Sequence, residues 1–233
     1  MSDPVTALSP LIARVWPRLV ALVARLAKLA AQAGATGDRG LRLQAFRLLR
    51  PAEALARRDG ISADLRIEKS LAMAEHADRI EFDPGTVISG FLPIRSEPDL
   101  RPLMAALRDR GARLCLPVVL DRQTIVFRDF VRGVELVDTG FGTIGPGADA
   151  DVLDPDIMLM PLAGFDPVGN RLGYGAGHYD RAIARLKAKG RTVRLIGTAF
   201  ETQAIDAIPA EDHDVPLDEL ITETGLRSFP TGV

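Results

Sequence analysis

The sequence predicts a layered α/β fold with a largely parallel open sheet and helices on both faces. Apolar runs at 157–162 and 193–199 are continuous, which is typical of strands buried on both faces. Segments with helical apolar spacing, such as 62–79 and 177–189, separate the predicted strands. Strands separated by helices favour parallel pairing, and 233 residues with 47% hydrophobic residues can bury a core without disulfides.

The elements of the first half alternate between helices and strands. Ser62 is a good N-cap for the first helix, because its hydroxyl can accept a hydrogen bond from a backbone N–H of the first turn. Glu97-Pro98 opens the next helix, and Gly111 ends it. In chain order we expect helix 62–79, strand 86–92, the helix that ends at Gly111, strand 113–119 and the half-exposed strand 124–130.

The second half contains the most apolar strands. Residues 133–156 hold five glycines and two prolines and are predicted to be loop. The buried strand 157–162 follows, then a loop with turn residues, the helix 177–189 and the strand 193–199.

We predict an N-terminal extension and linker over 1–40 and a single folded domain over 41–233. The extension has no acidic residue between Pro4 and Gly37, and residues 19–31 have the pattern of an amphipathic helix. Two basic residues interrupt that apolar stretch, which is shorter than the ~20 residues of a membrane span. A transit peptide, a membrane-surface helix, a partner helix and a loosely attached extension all fit this pattern.

Composition excludes several classes of function. A net charge of −2 argues against nonspecific binding of nucleic acid over a broad basic face. Three histidines are too few for a histidine-rich metal site, and Cys115 lies in an apolar run that predicts a buried, inert thiol.

A glycine-rich loop is the strongest candidate for a binding site. Its segment GYGAG, residues 173–177, leads directly into a predicted helix, so backbone N–H groups and the helix dipole can attract an anion. Arg171 can make paired hydrogen bonds to a phosphate, and Asp180 can hold Mg²⁺ between phosphate oxygens. The spacing matches neither common nucleotide-binding glycine motif. The loop therefore predicts a different metal–nucleotide site, with a flexible surface loop as the alternative.

The segment GNRLGYGAGHYDR, residues 169–181, resembles the motif of the 5-formyltetrahydrofolate cyclo-ligase family. Blocks at 90–104, 140–146 and 213–218 extend the resemblance over roughly residues 47–222. The resemblance implies a Rossmann-like fold of the kind found in sugar-phosphate isomerases and CoA transferases. It also implies conversion of 5-formyltetrahydrofolate and ATP into 5,10-methenyltetrahydrofolate, ADP and phosphate, with Mg²⁺ as cofactor and ATP as co-substrate.

The resemblance implies roles for single residues on the ATP side of the site. Arg171 and Tyr179 would contribute to catalysis, and Asp180 and Asp214 would bind Mg²⁺. The implied ATP-binding residues are Arg50, Arg171, Leu172, Gly173, Tyr174, Gly175, Ala176, Gly177, His178 and Tyr179.

On the folate side, the resemblance implies that Glu97 binds the pterin ring, where a carboxylate can pair with ring N–H donors. Leu92 would be an apolar folate contact beside it. The residues of the glycine-rich loop that would also contact folate are Tyr174, Gly175, Ala176, Gly177 and His178.

This sequence departs from the family pattern at several places, among them Gly145, where the family often has Glu. Ala176 stands where many members have Gly or Lys, and His178 stands where most have Tyr. No Lys stands four residues before Arg50, so Arg47 is a candidate substitute, and the paired arginines Arg57-Arg58 follow in the expected order.

Two functions remain open at this point. A cyclo-ligase is favoured because Glu97, Arg171, Asp180 and Asp214 are all present. The alternative is a non-catalytic folate- or nucleotide-binding module of the same fold. A sugar-phosphate isomerase or CoA transferase has only fold-level similarity in its favour. We expect 5-formyltetrahydrofolate and ATP as partners, no nucleic acid, no membrane span, and a cytoplasmic monomer.

Overall fold

A computed structural model of the chain describes residues 51–140, 143–175, 177–209 and 214–230, together with Lys28 and Phe46. The chain divides into two compact units, Met1–Arg50 and Pro51–Val233, and the elements below belong to the second. Apart from Lys28, the extension predicted over 1–40 lies outside the described residues. Within the described ranges, every helix is too short or too polar to cross a membrane.

Three of the described helices lie close to predicted segments, with shorter bounds, and the helix over 51–59 was not predicted from the sequence. The helices of this unit are α1 (51–59), α2 (Ala63–Glu75), α3 (Arg101–Asp109) and α4 (His178–Ala188), with short 3₁₀ helices at Ala77–Arg79 and Glu201–Gln203. Ser62 caps α2 as predicted, because its hydroxyl oxygen accepts a hydrogen bond from the backbone N–H of Leu65 at 3.3 Å. The predicted opening of α3 at Glu97-Pro98 is wrong, since α3 begins at Arg101 and Glu97 lies in the preceding loop.

The strands are β1 (Val87–Ser89), β2 (Arg113–Val119), β3 (Ile125–Asp129), β4 (Leu136–Gly140), β5 (Thr143–Pro146), β6 (Val152–Leu153), β7 (Ile157–Pro161), β8 (Gly164–Phe165), β9 (Arg171–Leu172), β10 (Arg194–Thr198), β11 (Glu219–Thr222) and β12 (Gly225–Ser228). In the described part of the chain, eight of them form one sheet in the order β12-β11-β10-β7-β1-β2-β3-β6. The central strands β11, β10, β7, β1 and β2 are parallel, and antiparallel strands complete both edges. The predicted open, largely parallel sheet is confirmed.

The strand β7 shows how the sheet separates two apolar layers. Ile157 and Leu159 belong to a buried cluster that contains residues of α2 and α3. Met158 and Met160 point to the opposite cluster, which contains residues of α4. Successive side chains of a strand alternate between faces, so the continuous apolar run covers both. The helices therefore lie on both faces of the sheet, as predicted.

The segment 133–156 is more regular than its composition predicts. β4 and β5 form an antiparallel hairpin with a register shift between Asp138 and Gly140, and β6 joins the edge of the main sheet beside β3. Glycine and proline content predicts loop, but pairing with a neighbouring strand outweighs that local preference here.

Candidate functional site

The candidate site lies at the carboxyl ends of β1 and β7. The chain builds outward from β1 to β2 on one side, and from β7 to β10 and β11 on the other. A reversal of this kind leaves a crevice beyond the carboxyl ends of the two central strands, where open α/β sheets bind ligands. The loop with Glu97 follows β1, and the glycine-rich loop follows β7. The fold thus brings the two segments singled out from the sequence to the same crevice.

A short hairpin formed by β8 and β9 leads into the glycine-rich loop. In its turn, Asp166 is 2% exposed and accepts hydrogen bonds from the backbone N–H groups of Val168 (3.1 Å), Asn170 (2.9 Å) and Ile208 (3.0 Å). The side-chain amide of Asn170 donates a fourth, at 2.9 Å. These four hydrogen bonds offset the free-energy cost of burying the Asp166 carboxylate. They also hold the turn that precedes Arg171 in one conformation.

Arg171 connects two parts of the predicted phosphate and metal site. Its side chain is 10% exposed, and its guanidinium forms an ion pair with the Asp180 carboxylate at the start of α4. The Nε of the same side chain donates to the backbone oxygen of Val215 at 3.3 Å. Val215 directly follows Asp214, so Arg171 contacts one predicted metal ligand and the neighbour of the other.

The donor set of Asp180 and Asp214 fits Mg²⁺. Both side chains offer carboxylate oxygens, which hard cations prefer. Asp180 is 45% exposed and Asp214 is exposed, so a ligand can reach both. Across the described ranges, no cluster of three or more His, Cys, Asp or Glu residues could hold a metal on its own. A site for Mg²⁺ with two protein carboxylates is complete when substrate phosphates and water supply the remaining oxygens.

The glycine-rich loop presents bare backbone to the crevice. Gly175 has φ +86° and Gly177 has φ +65°, a region that favours glycine. A Cβ added at Gly173 or Gly175 would meet nothing within 4 Å, so open space lies beside this backbone. α4 begins directly after Gly177, and the free N–H groups of its first turn add to an anion-binding surface. Ala176 lies outside the described residues, as do Arg47 and Arg50.

On the other side of the crevice, Glu97 is 8% exposed. Its Oε2 accepts a hydrogen bond from the backbone N–H of Ile94 at 2.9 Å. Burial raises the pKa of Glu97, although the nearby Tyr174 hydroxyl, the Ile94 N–H and the charge of Arg58 oppose the effect. Leu92 is partly buried and packs against the core below. Glu97 and Tyr174, 77 residues apart by their numbers, therefore meet in one site.

Arg58 is a site residue that the sequence reasoning missed. The side chain is 2% exposed, and its Nε donates to the hydroxyl oxygen of Ser96 at 2.9 Å. Its Nη1 donates to the Tyr174 hydroxyl at 2.5 Å. Ala54, four residues earlier on the same face of α1, is also fully buried. Two signals in the sequence could have marked Arg58: this helical spacing, and its place in the Arg57-Arg58 pair that follows the family order.

His178 and Tyr179 begin α4 beside the glycine-rich loop. The Nε2 atom of His178 is buried without a hydrogen-bond partner in the described part of the chain. Tyr179 is partly buried and packs against the core cluster under α4. Burial raises the pKa of Tyr179, so its phenol stays neutral at physiological pH and can donate a hydrogen bond.

Comparison with known proteins agrees with this site. A sequence model of the 5-formyltetrahydrofolate cyclo-ligase family matches residues 39–223. The 5-formyltetrahydrofolate cyclo-ligases of Mycolicibacterium smegmatis and Escherichia coli (strain K12) are 30% and 31% identical over 155 and 141 residues, which cover 59% and 58% of this chain and 74% and 76% of theirs. The NMR structure of Aquifex aeolicus 5,10-methenyltetrahydrofolate synthetase matches with a TM-score of 0.67 and 25% identity, over 81% of this chain and 95% of that one. With its two binding loops at one crevice and most of its length matched, this chain belongs to the 5-formyltetrahydrofolate cyclo-ligase family.

Proposed function

We propose that this chain converts 5-formyltetrahydrofolate into 5,10-methenyltetrahydrofolate and uses ATP and Mg²⁺ to do so. The observation that carries the proposal is that the glycine-rich loop and the Glu97 loop meet, because Tyr174 on one and Ser96 on the other both accept hydrogen bonds from Arg58. A phosphate-binding loop beside a loop with a buried carboxylate suits a reaction in which a phosphoryl group passes from a nucleotide to an oxygen substituent of a nitrogen heterocycle.

On the ATP side, Arg171 and the backbone N–H groups of Gly173 and Gly175 bind phosphate oxygens. Asp180 and Asp214 would hold Mg²⁺, which when bound would supply neutralisation of phosphate charge. Tyr179 stays neutral and donates a hydrogen bond to the group in transfer. These residues supply positioning and charge stabilisation, which are the main requirements of phosphoryl transfer.

The chemistry needs an activated formyl oxygen, because that oxygen is a poor leaving group. The formyl oxygen attacks the γ-phosphorus of ATP, the bond to ADP breaks, and an iminium phosphate forms on N5. The N10 lone pair then attacks the formyl carbon and N10 loses its proton. The C–O bond breaks, phosphate departs, and the ring closes as the methenyl cation.

On the folate side, the Glu97 carboxylate accepts hydrogen bonds from pterin N–H groups, and Leu92 contributes an apolar contact. The burial of Glu97 supports its role, because a hydrogen bond from the pterin to a buried carboxylate stabilises the complex more than one to a carboxylate that water already solvates. The loop residues Tyr174 to His178 contact folate as well as ATP. For the cellular location and the oligomeric state, the prediction from the sequence remains a cytoplasmic monomer.

One assay tests the proposal. The purified chain is mixed with 5-formyltetrahydrofolate, ATP and Mg²⁺, and absorbance of the methenyl product is followed. We expect product that depends on ATP and is abolished by a chelator in excess of Mg²⁺. Binding of 5-formyltetrahydrofolate and ATP without any product would instead support the non-catalytic binding module.

A further inference from the structure

The strongest unassigned feature beside the site is Arg58, a buried guanidinium that touches both of its loops. Arg58 lies on α1, Ser96 precedes Glu97 in the loop after β1, and Tyr174 belongs to the glycine-rich loop. One side chain thus joins three segments that are far apart in sequence, with 116 positions between Arg58 and Tyr174. Charged groups are rarely buried this fully unless they are paired, so the burial of Arg58 needs a physical explanation.

The hydrogen-bond directions in this network are fixed by chemistry. A guanidinium can only donate, so the Tyr174 hydroxyl accepts from Arg58 and its own proton is free to donate to Glu97. The Ser96 hydroxyl likewise accepts from Arg58 and donates to the Asp59 carboxylate. Arg58 therefore positions both hydroxyls and leaves the Tyr174 proton available to an acceptor such as the Glu97 carboxylate, whose pKa the Tyr174 hydroxyl lowers.

The remainder of the Tyr174 side chain is open to the crevice. The residue is 49% exposed although its hydroxyl is held at the buried end of the network. The Arg58 guanidinium carbon also lies 5.8 Å from the centre of the Tyr174 ring, within reach of a cation–π contact. Arg58 therefore fixes an exposed aromatic ring on a loop whose glycines alone would leave it many conformations.

We propose that Arg58 is a positioning residue for the folate substrate, which it serves by holding the Tyr174 hydroxyl against the Glu97 carboxylate and so joining the glycine-rich loop to the pterin-binding loop. This inference rests on the proposed role of Glu97 in folate binding. Arg58 touches no reacting atom in this scheme and acts only through Tyr174 and Glu97.

The charges around Glu97 support the same role for Arg58. The charge of Arg58 and the hydrogen bond from Tyr174 both lower the pKa of this carboxyl group, while its burial raises it. Loss of Arg58 would therefore leave more of Glu97 protonated at a given pH. The charged or titratable groups that face Glu97 are Arg58 from α1, Arg95 from its own loop, Tyr174 from the glycine-rich loop and Tyr179 from α4.

The test compares Arg58→Gln with Arg57→Gln. Arg57 is the adjacent arginine, but it donates to the backbone oxygens of Thr202 (2.7 Å) and Ala204 (2.8 Å), away from the Glu97 network. We expect Arg58→Gln to raise the KM and the Kd for 5-formyltetrahydrofolate about 10- to 100-fold, and to raise the KM for ATP by a smaller factor, because Tyr174 also belongs to the ATP-binding loop. The acid limb of kcat/KM for folate should move to higher pH. Arg57→Gln should lower Tm without moving either quantity.

Two further variants keep the test decisive if Arg58→Gln does not fold. Tyr174→Phe removes only a hydroxyl from an exposed loop and should reproduce the rise in folate KM. Arg58→Lys keeps the buried charge and should restore the acid limb of the pH profile. A lysine lacks the planar N–H donors with which the guanidinium bonds Ser96 and Tyr174 at once, so part of the rise in folate KM should persist.

The outcomes separate this inference from the proposed function. If Arg58→Gln and Tyr174→Phe lower Tm but leave the folate KM and the pH limb unchanged, Arg58 only anchors α1 and the inference fails. A wild-type chain that neither binds nor converts 5-formyltetrahydrofolate overturns the proposed function itself. Direct binding of folate without ATP gives the readout that distinguishes these two failures.

Discussion

Glu97 combines burial with a proposed role that requires its charge. Its pKa is raised mainly by burial, so the folded state holds the proton more tightly than the unfolded chain does. By linkage, the stability that this group contributes is fully present below its unfolded pKa and is lost as pH rises through the folded pKa. At neutral pH the carboxylate is therefore kept at some cost in stability, as is common at functional sites.

Glu97→Gln should separate these two effects. An amide accepts fewer hydrogen bonds from the pterin than a carboxylate, so we expect the KM for 5-formyltetrahydrofolate to rise about 10- to 100-fold while the KM for ATP stays constant. Because the substituted side chain is neutral, Tm at pH 7.5 should equal or exceed that of the wild type. Steady-state kinetics and thermal melting check both points. A higher KM for ATP with an unchanged KM for folate would place Glu97 elsewhere in the mechanism.

Asp180 is the carboxylate on which the proposed Mg²⁺ site depends most. We expect Asp180→Asn to reduce kcat by about 10²- to 10³-fold and to raise the Mg²⁺ concentration needed for half-maximal rate. The fold should survive, because Asp180 is 45% exposed and Arg171 keeps its contact with Val215. Asp154→Asn is the matched control, since it breaks a surface ion pair with Lys189 beyond the other end of α4. Wild-type kinetics with an unchanged Mg²⁺ requirement in Asp180→Asn would overturn the assignment.

At the scale of elements, the hairpin of β8 and β9 controls where Arg171 lies. Its turn contains Gly169, which has φ +90° and whose backbone oxygen accepts a hydrogen bond from the N–H of Leu217 at 2.9 Å. A Cβ at Gly169 would lie 2.8 Å from the Phe229 ring and 3.1 Å from the Leu217 backbone oxygen. This turn therefore ties the glycine-rich loop to the segment that carries Asp214.

We expect Gly169→Ala to lower stability by about 2–4 kcal/mol, from strain at positive φ together with the clash. The displaced turn should also raise the KM for ATP, because Arg171 follows it by two residues. Gly85→Ala is the control: Gly85 has φ +88° but open space around its Cβ position, so this variant should lose only about 1–2 kcal/mol and keep its KM for ATP. Chemical denaturation and kinetics on both variants make the comparison. Equal losses of stability and equal KM values would show that the close approach at Gly169 is unimportant.

At the scale of the whole molecule, the question is how much of the chain the catalytic unit needs. The family match begins at residue 39, and the compact unit that carries both binding loops begins at Pro51. The boundary predicted between residues 40 and 41 lies between these two positions. Segments outside a packed core are generally dispensable, which motivates two truncations.

We expect a chain without residues 1–40 to be folded and to keep wild-type kinetics. Removal of residues 1–50 should raise the KM for ATP by about 10-fold or more, because it removes Arg50 and Arg47, the candidate N-terminal phosphate contacts. Circular dichroism and steady-state kinetics on both truncations check this. If the shorter deletion abolishes activity in a folded chain, the extension belongs to the site and the predicted boundary is wrong.

Local patterns in the sequence were sufficient for the layers of the fold, and they placed Arg171 and Asp180 in one candidate site whose role stays a prediction. The predicted strand 113–119 coincides with β2, and the apolar run at 157–162 became β7 with one layer of core on each face. Arg171 and Asp180, nine positions apart, form the ion pair that their neighbouring places in one motif made feasible. The strands depend on residue spacing along a single element, which periodicity reports directly, whereas Arg171 on β9 and Asp180 on α4 are close because one short loop joins those two elements.

Other features were decided only by the tertiary structure. The start of α3 after Glu97 and the hairpin of β4 and β5 did not follow from local composition, and the meeting of Arg58 with Tyr174 depends on a contact between segments distant in sequence. The strand order places β1 beside β7 and so brings the Glu97 loop to the glycine-rich loop. The order of strands in a sheet is set by packing of whole elements, and no local spacing encodes it. For that reason Arg58 was in the sequence only one of two paired arginines, and in the fold it is the residue that joins the two loops of the site.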